Sequence, residues 1–213
     1  MNLFRCALLV LFCGTLQASP VPAADWETLE PDRLPAPWAE LLERLRQPES
    51  VYAQFVERRL FSFRADPLVL QGEMRMDRRH GLSLHYIEPE VQTVIVDDQG
   101  VLLRDAARRT RTAPASAVES TRPLRDVLRL DLAALAGTFR LLGRRSESGW
   151  ELQFAPRSTG GRGAGGSIHM FGTADRVERI TVEPTARRRV EIELSHVTPD
   201  ATFAPAEVRR FFR

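Results

Sequence analysis

The chain has 213 residues, a formal net charge of +2 and 27% charged residues, and all 30 of its Lys+Arg residues are arginine. The absence of lysine excludes Schiff-base chemistry and the phosphate-binding lysine of a P-loop. The two cysteines, Cys6 and Cys13, lie close to the N-terminus, so the remainder carries no disulfide, thiol nucleophile or cysteine-ligated metal.

Residues 1–23 read as a secretory signal peptide. Arg5 supplies the charge, and Cys6 to Leu16 form an apolar run too short to cross a bilayer. Val21-Pro22-Ala23 is the expected cleavage signal, with cuts after Ala18 or Ala24 as alternatives. Phe12 is too bulky to precede a lipid-attached Cys13. Export without disulfides fits a bacterial periplasm. The expected mature chain, residues 24–213, is long enough for one domain with a sizeable core.

Pro35 to Arg46 predicts an amphipathic helix, because Trp38, Leu41, Leu42 and Leu45 recur at helical spacing. Pro37 suits its first turn, and Pro48 ends it. Val51 to Phe63 predicts a long strand. Leu68 to Met76 alternates cleanly, with Leu68, Leu70, Gly72, Met74 and Met76 on one face and Gln71, Glu73 and Arg75 on the other. Leu82, Leu84 and Tyr86 repeat the pattern, with His85 on the outward face. Val91 to Val96 is apolar enough for a strand covered on both sides. Asp97-Asp98-Gln99-Gly100 predicts a hairpin turn, and Val101 to Arg104 the returning strand.

Ala106 to Ser120 is polar and basic and reads as a loop. Pro123 to Leu135 predicts a second helix, starting at Thr121 or Arg122. Five further strands are expected at Thr138–Gly143, Trp150–Ala155, Ser167–Phe171, Val177–Glu183 and Arg188–His196. Many short strands with two helices define an α+β chain with an antiparallel sheet.

No catalytic constellation is visible. Gly161 to Gly166 fits a dinucleotide fingerprint in letters, but a strand is expected after it where a helix is required. His80, His85, His169 and His196 show no metal-ligating spacing, and no Gly-x-Ser-x-Gly elbow occurs. The chain is therefore expected to be no enzyme and to hold no cofactor or metal. Basic clusters at Arg58–Arg59, Arg78–Arg79, Arg108–Arg111, Arg144–Arg145 and Arg187–Arg189 read as solvated faces. Their sharper reading is contact with an acidic partner or anionic lipid headgroups. Nucleic acid is not an expected partner, since no aromatic residues interleave these arginines.

Tyr52-Ala53-Gln54-Phe55-Val56-Glu57, then Gly72-Glu73-Met74-Arg75-Met76, then Arg78, Leu82 to Tyr86, Pro89, Gln92 and Val94-Ile95-Val96-Asp97 follow a recognisable order. This stretch resembles the periplasmic outer-membrane lipoprotein carrier family, LolA, over about Glu40 to Leu103. The resemblance implies a curved antiparallel sheet, an unclosed half-barrel, with helices covering its concave apolar face. It implies an acyl-chain cavity, for which Phe55, Met74, Met76, Leu82, Leu84 and Tyr86 are the candidate lining. It also implies a lid latch at Arg78, or at Arg79, where the family carries proline. The implied role is monomeric transport of a lipoprotein or related lipid from an inner-membrane ABC-type release complex, or another lipid exporter, to an outer-membrane receptor. The alternatives are a paralogue carrying another lipid or glycolipid and a periplasmic lipid-sensing module.

Overall fold

The computed structural model describes residues 25–113, 126, 127, 129–157, 166–185 and 187–213. The signal-peptide expectation, the start of the second predicted helix and Gly161 to Gly165 lie outside them.

Twelve strands form one antiparallel sheet. They are β1 (Glu27–Leu29), β2 (Ser50–Phe61), β3 (Leu68–Asp77), β4 (Gly81–Glu88), β5 (Gln92–Asp97), β6 (Gly100–Asp105) and β7 (Thr110–Thr112), then β8 (Phe139–Ser146), β9 (Gly149–Pro156), β10 (Ser167–Thr173), β11 (Arg176–Thr185) and β12 (Arg188–Pro199). Their spatial order is β1-β8-β9-β10-β11-β12-β2-β3-β4-β5-β6-β7. Two meanders, β2 to β7 and β8 to β12, are thus joined by the long β12–β2 ladder. β1 and β7 are the edges and do not pair, so the sheet is not closed into a barrel.

The register builds one apolar face. Val51 pairs with Met76 and Ala53 with Met74, and Met76 continues to Leu82, Val96 and Val101. In the other direction Phe55 pairs with Leu194, while Ile192, Ile180, Met170 and Leu152 follow in adjacent strands. With a side-chain period of two, a slip of one residue would turn this whole row to solvent, so the hydrophobic pattern itself fixes the register.

Three helices are described over their full length: α1 (Ala36–Arg46), α2 (Leu132–Ala136) and α3 (Pro205–Phe211). Trp38, Leu41 and Leu42 of α1 are each 1% exposed and join the sheet residues in one cluster. Each contributes about 2 kcal/mol through burial. A Cβ on Gly143 of β8 would lie 2.5 Å from the Trp38 ring, so glycine there permits the helix to approach. The predicted second helix is interrupted. Residues 126 and 127 are helical, Leu130 takes φ 50°, and α2 starts only after Asp131, whose side chain accepts from the Ala134 amide at 3.0 Å.

Three elements were not expected. β1 has only three residues, and β7 falls inside the predicted loop. α3 lies on the opposite side of the sheet from α1. Pro205 occupies its first turn, and Glu207 reaches back to the Ala204 amide at 3.1 Å. It covers the side of β3 that the alternation marks as polar, leaving Arg75 only 6% exposed.

Candidate functional site

A cavity of about 320 Å³ lies between the C-terminal end of α1 and the apolar face of the sheet. Met74 and Met76 of β3 form one wall together with Val51 of β2. Met170, Ile180, Leu194 and Val197 form the opposite wall, from β10, β11 and β12. Leu45 of α1 and Leu130, just before α2, also line it. Arg44, Asp175, Arg176 and Asp200 stand among the polar lining residues. Methionine suits such a wall because its unbranched, polarizable side chain repacks easily around different shapes.

Met74 and Met76 are the two predicted lining residues on this wall. Phe55, Leu82, Leu84 and Tyr86 share the same face of the sheet but stand outside the cavity lining. Phe55 and Leu82 are 3% exposed, packed in the core. The β10–β12 half of the wall was not assigned from sequence. Its signal was present in the alternation of Ile168 with Met170 and of Val190, Ile192 and Leu194. What was missing was the register that carries those strands to β2.

Arg78 stands in the β3–β4 turn, half-exposed. Its Nη2 donates to the backbone carbonyl oxygen of Arg46, the last residue of α1. Its Nη1 lies 3.1 Å from a Glu49 carboxylate oxygen, and its amide donates to the Glu49 carbonyl at 3.0 Å. Arg46 in turn donates from Nε and Nη2 to the Leu130 carbonyl, at 2.9 and 2.6 Å. Two arginines thus link the sheet, the end of α1 and the Leu130 segment, which lie around the cavity. The fixed fork of donors on a guanidinium makes such carbonyl bridging possible. Arg79 is exposed, and among the described residues only its backbone amide is engaged, on Asp77 at 2.8 Å.

A charged group interrupts the apolar face beyond Phe55. Glu57 is 4% exposed. Its carboxylate accepts from the Tyr86 hydroxyl at 2.7 Å and from Arg59 Nε at 2.5 Å. Burial pushes the Tyr86 hydroxyl well above its usual range, and the Glu57 charge and hydrogen bond add to this. Burial pulls Arg59 down, and the bond and charge of Glu57 outweigh it. The Phe55 ring meets Tyr86 edge-on at 5.2 Å. Glu57 was legible in principle, since it shares the inward parity of Val51, Ala53 and Phe55.

On the other side of the sheet, the Arg75 guanidinium lies 3.8 Å over the Phe211 ring and 5.2 Å from Tyr52. It pairs with Glu73 at 2.9 Å, while its Nε and Nη1 have no hydrogen-bond partner among the described residues. His85 sits against Phe211 at 5.1 Å and shares a 3.0 Å hydrogen bond with Thr93. Burial lowers the His85 pKa; Arg210 and Arg75 act in the same direction, and Glu73 opposes them. Among the described residues no group of His, Cys, Asp or Glu is arranged to hold a metal. No described helix is long and apolar enough to cross a membrane.

The chain thus has an open antiparallel sheet with α1 packed on its apolar face and a partly open, mainly apolar cleft between them. The sequence model of the LolA-like outer membrane lipoprotein carrier family matches residues 31–207, and the chain belongs to that family. Three solved structures resemble it at low identity. A LolA superfamily protein from Nitrosomonas europaea is 10% identical, with a TM-score of 0.43, over 80% of this chain and 96% of that one. A DUF1329 family protein from Desulfovibrio piger is 11% identical, with a TM-score of 0.42, over 79% and 92%. LprF from Mycobacterium bovis is 12% identical, with a TM-score of 0.38, over 81% and 99%. No curated protein sequence matches at a significant level.

Proposed function

We propose that this protein is an exported, periplasmic carrier that shields a lipid acyl chain while moving it between membranes, without covalent chemistry. The observation that carries this reading is the apolar cavity under α1, with Met74 and Met76 on one wall. Chain burial supplies affinity at about 25 cal/mol per Å², less the cost of association. Phe55, Leu82, Leu84 and Tyr86 extend the apolar face beside the cavity and receive a longer chain when the lid moves. Arg78, rather than Arg79, is the latch, since it alone of the two bonds to α1. An inner-membrane exporter loads the carrier, and an outer-membrane receptor offers a more favourable site.

The apolar wall of the cleft takes an acyl chain, carried by a lipoprotein or by another lipid such as a glycolipid. Native mass spectrometry of the protein as isolated from cells tests this. The expected result is a bound acylated lipid or lipoprotein. A protein that is always empty and takes up no added acylated ligand would sink the carrier reading.

A further inference from the structure

The end of the sheet remote from Arg78 carries an unusual surface. β2 has 12 residues; at about 3.3 Å per residue it places the β2–β3 turn roughly 35 Å from Ser50 and the cavity end. Phe63, in that turn, is 82% exposed. Leu60 and Val69 flank it at 36% and 42%; the β4–β5 turn, where Ile87 and Val91 stand beside Glu88 and Glu90, lies further back, level with the middle of β2. Three of the six large hydrophobic residues exposed among the described residues, Leu60, Phe63 and Val69, therefore lie at or beside the β2–β3 turn. Singly exposed apolar residues are ordinary, but a cluster at protruding turns marks a contact surface.

Basic side chains surround the Phe63 turn. The Ser62 amide donates to the Arg187 carbonyl at 3.0 Å, which ties the β2–β3 turn to the β11–β12 turn. Arg188 approaches the Phe61 ring at 5.9 Å, and Phe61 packs on Phe63 at 5.3 Å. Arg58 is paired with Glu193 and Arg189 with Glu191, both at 2.9 Å. Arg64, Arg187 and Arg188 have no carboxylate partner among the described residues, while Asp66 is the one acid in the β2–β3 turn. Beside them lies a cleft of about 420 Å³, lined by Phe61, Ser62, Thr185, Arg187 to Arg189 and one acid, Glu183, which stands 3.8 Å from Arg189.

We infer that this end docks on the surface of an anionic lipid bilayer. Phe63 inserts at the level of the headgroups, and Arg64, Arg187 and Arg188 meet lipid phosphates. A protruding aromatic turn ringed by unpaired arginines matches an interface that is apolar inside and negative outside. The docked molecule holds its cavity end away from the bilayer, facing a second protein. This goes beyond the carrier role and does not depend on what the cavity holds.

The test is vesicle co-sedimentation of the protein as purified from cells, with its N-terminus defined by mass spectrometry. Vesicles of phosphatidylcholine alone are compared with vesicles that also contain phosphatidylglycerol. Sedimentation with the anionic vesicles is expected. Phe63→Ser lowers that binding about tenfold, and Phe63→Trp preserves it. Arg187→Gln with Arg188→Gln lowers it about fivefold per charge. These residues are exposed, so unchanged melting curves separate docking from folding. The proposal is overturned if the protein ignores anionic vesicles, binds both kinds equally, or binds undiminished when it carries Phe63→Ser. It is equally overturned if the turn binds only membranes that retain their proteins, because the partner is then a protein. Vesicle binding without any cavity ligand would leave docking standing even if the carrier role failed.

Discussion

Arg78 of the β3–β4 turn donates to the main-chain carbonyl of Arg46, and so ties the sheet to the last residue of α1. That carbonyl is one of those a helix leaves without an internal partner at its C-terminal end. The bond therefore satisfies α1 and pins it over the cavity at the same point. Arg46 extends the tie to Leu130.

On the proposed carrier reading, replacing Arg78 with Leu removes a bond that holds α1 over the cavity. Closure then competes less with ligand, so retention rises and hand-off slows. The site is half-exposed, and solvent screening limits the effect to about 1 kcal/mol, or about fivefold in affinity. Arg79→Leu is expected to leave both quantities unchanged. Equilibrium binding and transfer rates of a fluorescent fatty acid distinguish the two, and an effect confined to Arg79→Leu reassigns the latch.

Bulk placed in the cavity tests which part of the apolar face holds the chain. Val177 lines the cavity from β11, and Leu84 lies on the same face outside it. Val177→Trp is expected to abolish uptake of a single-chain fatty acid at a stability cost of about 1–3 kcal/mol. Leu84→Trp is expected to shorten the longest chain accepted and leave short ones bound. Titration with a series of chain lengths reads both. Loss of all binding in Leu84→Trp alone moves the site to β3–β5.

The alternation in Leu68–Met76 and Leu82–Tyr86 showed which side of those strands faces the core, and the turn residues between apolar runs marked the hairpins. Half of the cavity wall was hidden because β12 pairs with β2 across more than a hundred residues, a contact that no local pattern encodes. α3 was hidden for a different reason. It has seven residues, with only Val208 and Phe211 a turn apart to mark its apolar side, and it is held by partners on the sheet. Arg104 reaches the carbonyls of Arg210 and Phe212, and Arg213 pairs with Asp97 at 2.6 Å. The cover over Arg75 was hidden for the same reason, since parity placed it on the face opposite the apolar one and does not say what later covers that face.

Tyr86 makes stability fall at alkaline pH. Its folded pKa lies above the unfolded value of 10.0, through burial first and then the Glu57 carboxylate. The folded state thus holds the proton more tightly. That contribution is complete below pH 10 and declines as pH rises toward the folded pKa. Tyr52, the chain's other tyrosine, is raised as well, by burial and then Glu73. Tyr86→Phe should therefore remove most, not all, of the alkaline drop in melting temperature. At neutral pH it costs about 1–3 kcal/mol, because Glu57 loses a donor while remaining buried. A Tyr86→Phe variant with an unchanged alkaline profile would show that the Glu57 group is hydrated in solution.

His85 gives α3 a response on the acid side. Its folded pKa lies below the ordinary 6.5, chiefly through burial, with Arg75 and Arg210 adding positive charge nearby and Glu73 opposing them. The unfolded or undocked state therefore takes up the proton more readily. Stability from this residue is present above pH 6.5 and is lost as pH falls through the folded value. The ring of Phe211 is its contact at 5.1 Å, so the first element to loosen is α3 rather than the sheet. Hydrogen exchange at residues 205–212 should accelerate below pH 6.5 while β2 and β3 stay protected. His85→Gln removes the pH dependence, and Phe211→Ala releases α3 at every pH, at a cost of about 3–5 kcal/mol. Equal acceleration in α3 and β3 would mean that the helix and the sheet open as one unit, and that Arg75 is exposed only on global unfolding.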